Sequence, residues 1–321
     1  MAAKRVIAVL AAVLLIVGAV FLRRAIDDPD EDGPDRPSGG GATVACIQDL
    51  ADACRDIDLG DVDVVVESFS ETLADVAGGT GPDAWITFAP LERLAVDELG
   101  ALAFGDPEVL GSTRLALASR PERVTALAGT CGGAVTWTCI GESAGQPWSS
   151  LGGDATWGDL APGHDDPTQR ATGLLTMGSA AAAYFGSTTF NAVDIDADPG
   201  FLGWFSRLER SVPSFVFSAD SALDTLATGR AVDLVGASDA EVARLGTAQS
   251  ERFTVAYPEP VGRADAVLVI STQGDVPAGL AGELRDALLA TPGWVATPGE
   301  PNGIPSAGVL RTLLDLWESL R

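Results

Sequence analysis

Val62-Asp63-Val64-Val65-Val66-Glu67-Ser68-Phe69-Ser70-Glu71-Thr72-Leu73-Ala74-Asp75-Val76 decides the fold class. Val62 to Glu67 is an apolar, β-branched run of the kind expected for a strand buried on both faces. Ser68-Phe69-Ser70-Glu71 reads as a turn that caps a helix from about Glu71 to Val76. Ala84 to Phe88 then returns to strand chemistry. A strand, a short helix and a second strand within this span form an α/β unit.

The same alternation extends outward. Thr43 to Ile47, Ser112 to Ala118, Ala134 to Ile140, Ser214 to Phe217, Val232 to Val235, Phe253 to Tyr257 and Ala264 to Ile270 read as strands. Helical patterns occupy Asp49 to Asp56, Leu91 to Leu99, a stretch opened by Arg120-Pro121-Glu122, Thr168 to Phe185, Ser221 to Thr228, Gly282 to Leu289 and Ala307 to Leu320. Proline near the start of the Arg120 helix suits a first turn, where its missing N–H costs nothing. Asp154 to Ala161, with Trp157, is irregular, and Pro162 to Pro167 is a loop. No solenoid repeat is present.

Ahead of this pattern, Lys4 and Arg5 precede an unbroken apolar run from Val6 to Leu22, closed by Arg23 and Arg24. The run sits at the lower limit of ~17 residues for a membrane-spanning helix. Residues 1–25 are therefore expected to be an uncleaved membrane anchor, with a cleaved signal peptide as the alternative. Residues 26–42 are rich in Asp, Pro and Gly and have almost nothing to bury, so they read as a disordered acidic spacer. The long stretch from Thr43 onward is comfortable for two lobes. Its length and its cysteines favour a location outside the cytoplasm.

The chain of 321 residues has 45 acidic and 20 basic side chains, a formal net charge of −25. Nucleic acid demands clustered Lys and Arg, and Lys4 is the only lysine. The balance therefore excludes nucleic acid and disfavours anionic lipid. It also removes any G-x-x-x-x-G-K-[ST] phosphate loop.

The four cysteines are Cys46, Cys54, Cys131 and Cys139. An even number behind an export-type leader reads as disulfides. Of the three possible connectivities, Cys46–Cys54 with Cys131–Cys139 is preferred. Residues eight apart on one helix lie ~12 Å apart, beyond the ~4.4–6.8 Å between Cα atoms that a bridge allows. Cys46 must therefore precede the helix that carries Cys54. No CxxC occurs and His164 is the only histidine, which disfavours zinc. No metal site and no cofactor is expected.

Gly141-Glu142-Ser143-Ala144-Gly145 matches the G-x-S-x-G nucleophile elbow, but Gln146-Pro147-Trp148 follows where a helix is required. His164, the one available base, reads as a surface loop residue. A serine hydrolase built on Ser143 is kept as an alternative, and a glycine-rich turn is the simpler reading. Asp194-x-Asp196-x-Asp198 resembles the start of a calcium loop, but Pro199 and Phe205 stand where glycine and glutamate are needed. It reads as a solvated loop.

A distributed pattern says more. Val65-Val66-Glu67 runs into Ser68-Phe69-Ser70, and Asp83-Ala84-Trp85-Ile86-Thr87 follows one helix later. Asp166-Pro167-Thr168-Gln169-Arg170-Ala171-Thr172-Gly173 then opens a long helix. Ser221 to Asp239 supplies a helix–loop–strand unit, and Tyr257-Pro258-Glu259-Pro260 a returning strand. In this order the motifs resemble the type II periplasmic solute-binding proteins, including their molybdate- and sulfate-binding branches, and in its closing segment, Pro301 to Leu320, extracellular members from actinobacteria.

The resemblance implies an α/β, two-lobed periplasmic-binding-protein-like fold with mixed, mostly parallel sheets and two crossovers. Residues 43–119 with 256–321 would form lobe one, and 120–255 lobe two. The implied function is capture of a small-molecule or anionic solute in the cleft and delivery to an ABC-type membrane transporter permease, by a monomer that is not an enzyme. A cell-surface sensor or protein-interaction module on the same fold is the alternative.

Ligands of open α/β sheets bind at the carboxyl ends of strands, where helix N-termini offer free N–H groups. That places Ser68 and Ser70 at one helix start and Thr168, Arg170 and Thr172 at another, from the opposite lobe. Trp85 and Thr87 end a strand facing the cleft, and Arg114 lies on a crossover strand. The Thr-Gln-Arg sequence departs from the Ser/Gly pairs of molybdate-type members. Trp148, Trp157, Trp204 and Tyr184 are candidates to line a site for an organic solute instead.

Overall fold

A computed structural model describes residues 41–55, 62–99, 104–218, 221–229, 232–296 and 302–321. The expected anchor at 1–25 and nearly all of the spacer lie outside the described residues. Among the described residues, no helix is long and apolar enough to cross a membrane. Gly41 to Arg321 form one compact unit.

The described residues form eight strands: β1 (Thr43–Ile47), β2 (Asp63–Glu67), β3 (Ala84–Ala89), β4 (Glu108–Ser119), β5 (Pro162–Gly163), β6 (Leu234–Ser238), β7 (Thr254–Ala256) and β8 (Arg263–Ile270). Their order is β2-β1-β3-β8-β4-β6-β5, with β7 also paired to β4. β1 pairs in parallel with β2 and β3, and β5 with β6. β8 is antiparallel to β3 and β4, and β4 is antiparallel to β6 and β7. The sheet is thus mixed. Parallel pairing holds among the first three strands and at β5–β6, and the strands that cross the molecule run antiparallel to their neighbours.

β4 organises the whole. At 12 residues it is roughly 40 Å long. Glu108 to Arg114 pair with β8, and Leu115 to Ser119 pair with β6. One strand therefore serves two halves, with the switch at Arg114/Leu115. The chain returns through β7, against the far part of β4, and then β8, against its near part. These are two crossovers.

β2 corrects a detail of the sequence reading. It pairs with β1 alone among the described strands and lies at the end of the sheet, leaving Val65 37% exposed. β3, between β1 and β8, is the strand enclosed on both faces. The helix after β2 starts at Phe69, not Glu71. Ser68 is its N-cap, accepting from Glu71 N–H at 3.2 Å, and the Glu71 carboxylate accepts from Ser68 N–H at 2.9 Å. This is a closed capping box.

The second half departs further. Ala134 to Ile140, expected as a strand, contains the start of a helix, Trp137–Ser143, because Thr136 caps it through Cys139 N–H. Ser214 to Phe217 form a 3-10 turn after Pro213. The expected Asp194-Asp196-Asp198 loop is two helices, Ala192–Ala197 and Pro199–Arg210. Asp194 completes a capping box with Asn191, and Asp198 Oδ1 accepts from Gly200 and Phe201 N–H at 2.8 and 3.1 Å. These carboxylates are helix caps.

Helix Ala171–Phe185 is buried from Ala171 through Ala182, as its nearly uninterrupted small and apolar sequence requires. It packs on β6 on one side and on the C-terminal helix Ala307–Ser319 on another. The main core draws on both halves, from Val44 and Trp85 to Leu174 and Trp204. A smaller core under β6 gathers Val212, Val216, Leu223 and Val235.

Both expected disulfides form. Cys46 lies at the end of β1 and Cys54 on the helix Ala51–Arg55, with Cα atoms 6.6 Å apart. Cys131–Cys139 joins the end of helix Pro121–Thr130 to the next helix, with Cα atoms 5.7 Å apart.

Candidate functional site

At the end of β1 the chain turns through Gln48–Leu50, and Asp49 leaves this turn toward the second half. Its Oδ2 accepts from Ala171 N–H at 3.0 Å. Its Oδ1 accepts from Thr172 N–H at 3.0 Å and from the Thr172 hydroxyl. The first N–H groups of a helix lack partners within it and carry a partial positive charge. Arg170, the N-cap of helix Ala171–Phe185, makes no side-chain cap. A carboxylate 122 residues away in sequence fills that role.

A second contact crosses the same seam. The Ser70 hydroxyl donates to the Thr168 carbonyl, and Ser68 Oγ lies 3.2 Å from Ser70 Oγ. The Thr168 N–H and hydroxyl are both turned onto Asp166 Oδ1, at 2.8 and 2.6 Å. Of the sequence-derived residues, Ser68 and Ser70 thus meet Thr168, while Thr172 meets Asp49. Gly173, in the same segment, is explained by packing: a Cβ there would lie 2.2 Å from the Asp165 carbonyl oxygen.

Other candidates lie elsewhere. Trp85 and Thr87 are fully enclosed on β3, with Trp85 packed 6.1 Å from Phe104. They alternate with Phe88, so they point to the opposite face of the strand. Trp85 Nε1 and Thr87 Oγ1 have no hydrogen-bond partner among the described residues. Arg114 sits at the β4 switch, with its side chain 54% exposed. It stacks on the Tyr257 ring at 4.0 Å and donates to Asp239 Oδ2 at 2.8 Å and Tyr257 Oη at 3.0 Å. The Tyr257 hydroxyl donates to Asp239 Oδ1 at 2.7 Å. Burial, with the Asp239 bond added, pushes the phenol up to about 12. This cluster ties both crossovers to the start of helix Asp239–Arg244.

The aromatic residues considered for an organic solute are packing elements. Trp148 and Trp157 flank the Arg123 guanidinium at 4.9 and 3.8 Å, and Trp148 Nε1 donates to Asp233. Tyr184 and Trp204 join Phe185 and Phe201 in one cluster.

A cavity of about 40 Å³ opens at the seam beside Asp49. Thr172, Ser238, Glu241 and Arg244 line it from the second half, and Leu50, Asp52, Phe88, Leu288 and Trp294 from the first. Sequence reasoning passed over Asp49, Glu241, Phe88 and Trp294. Two signals were available: Asp49 lies two residues beyond a parallel strand, and Ser238-Asp239-Ala240-Glu241 has capping-box spacing at the end of β6. That box is closed, with Ser238 N–H and Oγ donating to Glu241 Oε2 at 2.7 and 2.9 Å.

The surroundings are strongly acidic. Burial, then the charge of Asp49, raises the Glu241 carboxyl above its ordinary value, against the pull of the Ser238 bonds and Arg244. Asp165, whose Oδ1 accepts from Ala222 N–H, is pushed up to about 7 by burial and the Glu241 charge. Arg170 opposes that rise and Asp49 adds to it.

His164 is not a surface residue. It is enclosed, with Nε2 2.9 Å from Glu209 Oε2 and Nδ1 2.7 Å from the Asp165 carbonyl. Burial opposes its charged form, but Glu209 and these bonds outweigh that and raise its pKa. Ser143 ends a helix, buried, its Oγ 4.0 Å from Cys139 Sγ. Neither histidine nitrogen is free to serve it. Gly141 is a contact point, since a Cβ there would lie 2.3 Å from the Trp204 ring.

No protein-family model matches the chain. No curated protein matches its sequence. Among solved structures it is similar to apo FutA2 from Synechocystis PCC6803, at 13% identity and a TM-score of 0.51, over 87% of this chain and 98% of that one. It is also similar to a periplasmic thiamin binding protein, at 10% identity and a TM-score of 0.53, over 87% of this chain and 95% of that one. At such identities the likeness is one of fold.

Proposed function

From the two-lobed α/β fold shared with periplasmic binding proteins, we infer that this chain captures a small solute at the seam of its two halves. The observation that carries this reading is a pair of polar contacts between the halves, Ser70 with Thr168 and Asp49 with Thr172, the second of which borders a cavity. Closure about the two crossovers brings such groups together around a bound molecule. Residues 43–119 with 256–321 form one lobe in this reading, and 120–255 the other. Ser68, Ser70, Thr168, Arg170 and Thr172 edge the cleft, and Arg114 marks the hinge. The domain works outside the cytoplasm, where its two disulfides are stable, and hands the solute to an ABC-type importer.

A thermal-shift screen of the full-length protein against oxyanions, sugars, amino acids and polyamines tests this. A ligand at a hundredfold excess over its Kd adds about 2.7 kcal/mol to the native state, and Arg170→Ala should reduce that gain.

One observation favours a second reading. The seam's hydrogen bonds are satisfied within the chain, with Asp49 on the helix start and Ser70 on Thr168. A surface sensor or interaction module without a solute would have this property. A flat screen across all classes would transfer the conclusion to it.

A further inference from the structure

His164 is the only histidine of the chain, and it is enclosed where the cleft reading makes no use of it. We propose that His164, Glu209 and Arg321 form a proton-operated switch, in which Glu209 is held by the His164 imidazolium and passes to the Arg321 guanidinium when that proton leaves.

The hydrogen bonds set the starting state. His164 Nδ1 lies 2.7 Å from the Asp165 carbonyl oxygen, and Nε2 lies 2.9 Å from Glu209 Oε2. A carbonyl oxygen only accepts, so Nδ1 carries a proton. A neutral ring would then turn a bare Nε2 toward the carboxylate, whereas the doubly protonated ring donates to both partners. The positive charge of Arg321 near Glu209 favours the carboxylate over the acid, and with it the charged pair. Burial opposes a charged ring, but Glu209, these bonds and the Asp165 charge outweigh it and raise the histidine pKa.

The second partner is in place. Arg321 Nη2 is 3.9 Å from Glu209 Oε2. Its guanidinium rests on the Phe217 ring at 4.1 Å and lies 5.1 Å from the Trp317 ring, and Phe217 packs 5.4 Å from His164. Glu209 is only 1% exposed, and its Oε1 has no hydrogen-bond partner among the described residues. A buried acceptor without a donor is costly. That oxygen is the one for Arg321 to turn onto. The other charges around the cluster are Asp165 beside the ring and Asp166 near Arg321. Asp165 is engaged by Ala222 N–H and faces Glu241, Arg170 and Asp49, and Asp166 is engaged by Thr168. Glu209 is the carboxylate that lies within ion-pair distance of both cations.

When His164 gives its proton to solvent, the enclosed carboxylate faces a bare ring nitrogen and Arg321 is the cation left to it. A histidine with a raised folded value contributes its stability below the unfolded value and loses it as pH rises through the folded one. The exchange therefore takes place above the ordinary histidine value. It resets how the end of helix Ala307–Ser319, which carries Trp317, is fastened beside the segment 164–168 that leads to the seam.

The test is nitrogen-15 NMR of the full-length, tag-free protein in mild detergent, with its histidine labelled, across a pH titration. One imidazole gives one curve. A ring protonated on both nitrogens at neutral pH is expected, with a midpoint above the ordinary value of 6.5. Arg321→Gln removes the competing cation and should raise that midpoint by about one pH unit, with circular dichroism reporting an intact fold. Glu209→Gln should lower it, and if that variant does not fold, the parent and Arg321→Gln decide alone. A neutral ring at neutral pH, or an unchanged midpoint in either folded variant, overturns the switch. A flat solute screen leaves these results untouched, so the switch and the cleft reading fail separately.

Discussion

Asp165 shows what a single side chain contributes here. It is enclosed, accepts from Ala222 N–H, and lies within the field of Glu241, Asp49 and Arg170, with its carboxyl pushed up to about 7. A carboxyl whose folded value lies above its unfolded value of 3.8 keeps its proton in the native state after the unfolded chain has lost it. Its contribution to stability is complete below that lower value and is lost as pH rises toward 7. Stability should therefore fall by on the order of 4 kcal/mol across this window. Asp165→Asn, which can still accept from Ala222, should flatten the decline and be more stable than the parent at pH 8. Urea denaturation at several pH values measures it, and an unchanged pH slope would refute the assignment. Neither Asp165 nor His164 was legible as a buried group. Both sit in a Pro/Gly/Asp-rich stretch that reads as loop, and their enclosure comes from residues such as Glu209, Phe217 and Glu241 brought from later in the chain.

At the scale of elements, the helices Trp137–Ser143 and Pro199–Arg210 meet face to face. Trp204 Nε1 donates to the Thr138 carbonyl at 3.0 Å, and Arg207 Nε donates to the Gly141 carbonyl at 2.9 Å. Gly141 permits this approach. By helix propensity alone, Gly141→Ala would stabilise by up to ~1 kcal/mol. The clash with the Trp204 ring should reverse the sign, costing roughly 1–3 kcal/mol. Equilibrium denaturation decides between them, and a stabilised variant would mean the two helices do not pack as described. The Pro199 helix had a readable signal, with Asp198-Pro199 at its start and Phe201, Trp204, Phe205 and Leu208 on one face. The triplet of aspartates drew attention to calcium spacing and away from it. The motif around Ser143 misled for a related reason, because glycine serves both a tight elbow and a close helix contact.

For the whole molecule, the long strand β4 and a main core drawn from both halves couple the lobes. Unfolding of the domain should therefore be a single calorimetric transition, and two resolved transitions would contradict that coupling. Each disulfide closes a short loop, with a sequence separation of 8, worth roughly 2–3 kcal/mol by chain entropy. At ~2–4 °C per kcal/mol for a domain of this size class, reduction should lower the midpoint by about 10 °C. A scan with and without reductant measures it.

What the sequence by itself determined was local. Strand and helix alternation, a capping turn within Ser68–Glu71, the disulfide pairing and the strand-to-helix steps at Ser68–Ser70 and Asp166–Gly173 all depend on residues close in the chain, and they were readable with the α/β class they imply. Tertiary structure decided the rest. It set which strand lies at the sheet edge, that Asp49 caps a helix in the other half, and that Phe88 and Trp294, rather than Trp85 and Thr87, face the cavity. Each of these depends on long-range register and on which face of β3 meets the seam. One residue's shift along a strand exchanges its two faces, and no local pattern in Ala84–Ala89 distinguishes them, because the strand is apolar on both.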